Sequence, residues 1–87
     1  MNQERIEKFI ESRIDKKNKY VKIEFPKRAP IHGLFVTGDD YNHLKSKNLW
    51  RIVTSRNFDA FDKTHDQNLT KIFNGAEFSK LSLLEEA

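Results

Sequence analysis

Three histidines and thirteen carboxylates are the groups from which a catalytic or metal centre would have to be built. The densest set is Asp59, Asp62 and His65, spaced by three, with Asp66 adjoining. On a helical turn that spacing would gather oxygen and imidazole donors, the ligands of hard and borderline cations. It matches neither the calcium loop nor a zinc signature, and turn-forming Asp residues in a solvated loop account for it. His32 stands beside Gly33 in a β-rich run, where a partly exposed strand histidine is the ordinary case and a general base the rare one. No Ser lies in a nucleophile elbow, and Glu24 and Glu77 read as carboxylates on solvent faces. The glycines at 33, 38 and 75 cannot form the Gly-rich turn of a dinucleotide fold, whose repeated βαβ units would also need a longer chain. Neither catalysis, nor a metal, nor an organic cofactor is expected.

The cations carry the remaining signal. Sixteen Lys and Arg against thirteen Asp and Glu leave a formal net charge of +3. They gather at Lys16, Lys17 and Lys19, at Lys27 and Arg28, and at Lys45, Lys47, Arg51 and Arg56, with Tyr41 and Trp50 among them. Single-stranded nucleic acid is held by cations on its phosphates and aromatics under its bases, so RNA is one partner this mixture fits. A strand Trp also reads as core, and paired Lys at turns as solubility residues. A protein-interaction or self-assembly module without nucleic acid therefore stands as the alternative.

Such residues need a frame, and 87 residues suffice for one domain over 1–87. The absence of Cys removes disulfides and thiolate metal sites and fits a reducing, cytoplasmic compartment. Neither a signal peptide nor a membrane span is evident. Ile6, Phe9, Ile10 and Ile14 make one apolar stripe, which predicts a helix over 3–16 with Asn2 as N-cap and Asn18 near its stop. From Tyr20 the period becomes two, with Val21, Ile23 and Phe25 on one face and Lys22 and Glu24 on the other. Pro26 and Pro30 bracket a basic loop, and 31–37 forms a second strand, closing a hairpin. A polar connection with a helical turn capped by Asp40 leads to a third strand over 49–54. After the long polar segment 55–68, strands at 69–73 and 76–83 flank Asn74-Gly75, a type I′ hairpin signal. The alternative makes 66–74 a second helix with Asp66 as N-cap and Gly75 past its end. The expected fold is mainly β, an N-terminal helix and a five-stranded small barrel over 19–83 with a loose tail at 84–87; the alternative is α+β.

The order helix, five short strands, Gly in the second strand and Asn-Gly before the last resembles the Sm-like family of RNA-associated small barrels, related in shape to SH3-like barrels. Val21, Ile23 and Phe25, the basic turn, then Ile31, Gly33, Phe35 and Asp39 fall at the spacing of the first Sm motif. Phe73, Asn74, Gly75 and Phe78 follow the second, with Asn74 where the family has a base-contacting Arg. Arg28 replaces the turn Gly, and Gly38 an apolar residue. The resemblance implies RNA contacts near Lys27, Arg28, Asp39, Asn42, His43 and Asn74. It further implies a homo-oligomer in which the fourth strand of one copy pairs with the fifth of the next. Independently of the family, Gly33 is expected where side chains crowd a bent strand.

Overall fold

The computed structural model describes residues 1–14 and 19–84. Helix α1 (Gln3–Arg13) opens as expected on Asn2, whose side-chain oxygen accepts the Arg5 N–H at 2.9 Å. It ends earlier than 16, because Ile14 is already extended; Lys16, Lys17 and Asn18 lie outside the described residues. Ile6 and Ile10 are buried, and Phe9 and Ile14 pack partly covered against the same core.

Strands β1 (Tyr20–Glu24) and β2 (Ile31–Phe35) form the expected hairpin, in register from Tyr20↔Leu34 to Ile23↔Ile31. Helix α2 (Tyr41–Ser46) occupies the polar connection, although the Asp40 side chain makes no capping bond. The Asp40 carbonyl instead accepts the Leu44 N–H at 2.9 Å. Strand β3 (Leu49–Thr54) coincides with its predicted range. The segment read as polar loop contains a 3-10 turn, Ser55–Asn57, and helix α3 (Phe58–Thr64), with Phe61 buried. Strand β4 (Lys71–Asn74) and strand β5 (Lys80–Leu83) complete a five-stranded sheet of order β4-β3-β2-β1-β5 with antiparallel neighbours.

Two expectations are corrected here. The described residues form an α+β fold with three helices on an antiparallel sheet, and that sheet is not closed into a barrel. The Asn74-Gly75 hairpin is also absent. No described glycine has positive φ, Asn74 lies at φ −85°, ψ 117°, and Gly75 begins a 3-10 turn, Gly75–Glu77. That turn sends β5 to β1, in register from Val21↔Leu83 to Glu24↔Lys80, so β4 and β5 become the two edges. Gly75 is a close-approach glycine: a Cβ there would fall 2.5 Å from Ile6 Cδ1 and 2.6 Å from Trp50 Nε1. The helical alternative for 66–74 fails as well. Asp66 does cap, accepting the Asn68 N–H at 2.9 Å, but only a 3-10 turn, Gln67–Leu69, follows before β4.

Gly33 meets the crowding expected of it, since a Cβ would stand 2.7 Å from Ile52 Cγ2. The core lies between α1 and one sheet face, where Ile6, Val21, Ile23, Trp50, Ile52 and Phe78 are buried together. Each such side chain contributes roughly 1.5–3 kcal/mol relative to exposure. On the opposite face Val53 is buried and α3 packs, its Phe58 ring 4.5 Å from that of Tyr20.

Candidate nucleic-acid interface

All six residues expected at an RNA surface are exposed. Lys27 and Arg28 occupy the loop between β1 and β2, Asp39 the turn before α2, and Asn42 and His43 lie on α2. Asn74 ends β4 opposite Leu49, and its Oδ1 accepts the Ala76 N–H at 2.9 Å, so that oxygen caps the following turn. Along the strands the basic loop belongs to one end of the sheet and the other four residues to the opposite end. The sheet's curl narrows this separation: the Arg28 guanidinium lies 3.9 Å from the Phe25 ring centre and 5.9 Å from that of Phe73, the neighbour of Asn74. Asp39 lines a separate cleft of about 460 Å³ with Asp40, Arg51 and Gln67.

The antiparallel register gathers a group that linear order conceals. Gly33 lies opposite Thr54 and Ile52 opposite Lys71, which sets the start of β2, the exit of β3 and the start of β4 side by side. There His32, Thr54, Ser55, Arg56, Asn57 and Lys71 line a cleft of about 560 Å³ whose lining, among the described residues, contains no carboxylate. Lys22 adjoins it, paired across the hairpin with His32. None of the ion pairs among the described residues uses Arg56, Lys71, Lys27 or Arg28. Hydroxyl, amide and cationic donors are what phosphate oxygens require. His32 is exposed on β2, as expected of a strand histidine.

Arg51, Lys45 and Lys19, also named from the sequence, are engaged within the protein. Arg51 Nη2 donates to Asp40 Oδ2 at 2.5 Å and its Nη1 to Thr70 Oγ1 at 2.8 Å, bracing the approach to α2 against the approach to β4. That bond holds the Asp40 carboxyl below its ordinary value, against a smaller opposing effect of burial. Lys45 pairs with Glu7 at 3.1 Å, joining α2 to α1, and the carboxylate raises the Lys45 ammonium above its ordinary value. Burial pushes the half-buried Tyr41 hydroxyl up. Lys19 lies 3.9 Å from Asp62. Trp50 is core, 1% exposed, so it offers no stacking surface.

Asp59 and Asp62 ride on α3, while His65 takes a left-handed conformation past its end, with its ring 5.4 Å from that of Phe61. No three His, Asp or Glu residues among those described converge as metal ligands would. Nor is any helix among them long and apolar enough to cross a membrane. Lys71 was not singled out by sequence reasoning. Its only local signal is its place at the head of a strand after a polar run, and the pairing that brings it to His32 and Arg56 is long-range. Compared with protein-family models, curated proteins and solved structures, the chain matches none.

Proposed function

We propose that this chain is a non-catalytic, Sm-like or SH3-like module that binds single-stranded RNA, with the phosphate backbone crossing the cleft of His32, Arg56 and Lys71. The observation that carries the reading is the coincidence, among the described residues, of cations outside every ion pair, hydroxyls and an amide in a cleft without carboxylates. Lys27 and Arg28 extend the positive surface along the adjoining loop, which Pro30 joins to the cleft. The sheet order β4-β3-β2-β1-β5 behind an N-terminal helix, with α2 and α3 in its connections and a crowded Gly33 in β2, supports the part of the family resemblance that the first motif carries. Fluorescence anisotropy with a short single-stranded RNA at low salt tests the reading. Saturable binding that weakens in Arg56→Ala and Lys71→Ala is expected, whereas no binding at low salt would remove it.

A second reading, self-assembly, is favoured by one observation: β4 and β5 are both unpaired edges, and on β4 Ile72 is a large hydrophobic residue 49% exposed. Edges of this kind invite strand pairing between copies. The two readings are compatible, because the edge and the cleft share only the start of β4.

A further inference from the structure

We propose that a slot beside Arg28 receives one nucleobase of the bound RNA and selects guanine. The inference rests on the RNA reading above and adds a base preference that phosphate contacts cannot supply. The slot, about 320 Å³, is lined by Phe25, Pro26, Lys27, Arg28 and Glu77. Its floor is organised from the core outward. The Phe25 ring is buried and meets Phe78 edge-on at 5.6 Å, and the Arg28 guanidinium carbon lies 3.9 Å from the Phe25 centre. Phe73 approaches the same guanidinium at 5.9 Å. Arg28 is nonetheless exposed, so a planar cation braced against an aromatic ring is offered to solvent. Splayed RNA bases stack on guanidinium planes of this kind.

Glu77 supplies the selectivity. Among the described residues it is the one carboxylate lining the slot, it is exposed, and it takes part in none of their hydrogen bonds or ion pairs. An ionised carboxylate only accepts. Guanine presents two adjacent donors, N1–H and the 2-amino group, which the two carboxylate oxygens accept together. Adenine and cytosine offer an amino group beside a ring acceptor. Uracil offers one N–H between two carbonyls that repel the carboxylate. Lys27, on the same rim, is placed for the phosphate of the stacked nucleotide, and the shared loop leads the backbone on to the His32 cleft.

The test is anisotropy with four RNA heptamers of adenosine that differ only at the central base, G, A, C or U, for the wild-type chain, Glu77→Gln and Arg28→Lys. Both sites are exposed, and melting midpoints matching the wild type establish that the variants fold. The wild type is expected to bind the central-G heptamer about tenfold more tightly than the central-U one, the discrimination of one good bidentate pair. Glu77→Gln should shrink that gap to about twofold or less, since one oxygen acceptor is replaced by a donor. Arg28→Lys keeps the charge and loses the plane, and should weaken all four heptamers while leaving the salt slope in place. Equal binding of the four heptamers by the wild type, or an unchanged preference in Glu77→Gln, would overturn the slot and leave RNA binding standing. Failure to bind any heptamer at low salt would overturn both.

Discussion

Asn48, the residue after the C-cap Lys47 of α2, holds a left-handed backbone, φ 58°, a conformation that Asn tolerates better than most residues. From there its carbonyl accepts the Gly75 N–H at 2.8 Å, its Oδ1 accepts the indole N–H of Trp50 at 2.9 Å, and its Nδ2 donates to the Met1 carbonyl at 3.2 Å. The Met1 ammonium in turn donates to the carbonyls of Gly75 and Phe78, at 3.1 and 2.8 Å. One residue thus joins Met1 and the largest core side chain through its amide and the turn that directs β5 through its carbonyl. Asn48→Ala strands the indole N–H in the core and strains the backbone, and should cost about 2–4 kcal/mol by chemical denaturation. Gly75→Ala drives a methyl into Ile6, Trp50 and Asn48, and should destabilise by about 1–3 kcal/mol, as overpacking does. A wild-type midpoint in either variant would contradict this account of the hub. Asp40 adds a pH dependence. Its folded value is depressed, so its contribution is present above the ordinary carboxyl value of 3.8 and lost as the pH falls below it. Asp40→Asn should therefore lower the melting temperature at pH 7, with the gap to the wild type closing below about pH 4.

At the scale of elements, what was legible in the sequence is what local period encodes. The stripe of Ile6 and Ile10, the alternation of Val21 and Ile23, and the β-branched run of β3 each bury the residues that their spacing selects. Helix α3 was hidden because only Phe58 and Phe61 mark its buried side, amid Asp and Lys that also suit a loop. Their interval of three after Asn57 was the available signal. Asn74-Gly75 misled for a different reason. The pair satisfies a type I′ turn locally, but Gly at 75 answers to Ile6, Trp50 and Asn48, residues distant in sequence, and β5 gains a better partner in β1. The long-range pairings of β3 with β2 and β4 assemble the cleft of His32, Arg56 and Lys71, which is why the six residues drawn from the family resemblance did not include it. Edge strands carry the prediction proper to this scale. If β4 pairs between copies, Ile72→Lys should block that pairing through charge repulsion and burial of an ammonium, without lowering the melting midpoint measured at low concentration.

For the whole molecule, two exposed edges make a mass above 10.3 kDa the expected result of light scattering at micromolar concentration, reverting toward the monomer in Ile72→Lys. A wild-type mass near the monomer's at high concentration would reject the assembly reading and leave the cleft untouched. The RNA reading, the central claim, is tested most directly by the salt dependence of binding. Each phosphate neutralised on a single strand contributes about 0.7 to the slope of log affinity against log salt. Among the described residues, Arg56 and Lys71 are the two permanent charges lining the cleft. The wild type should bind a short single-stranded RNA at low salt and lose affinity steeply as salt rises, and the Arg56→Ala, Lys71→Ala double variant should show a slope shallower by about 1.4. An identical slope in the double variant, or no binding by the wild type at low salt, would contradict the claim.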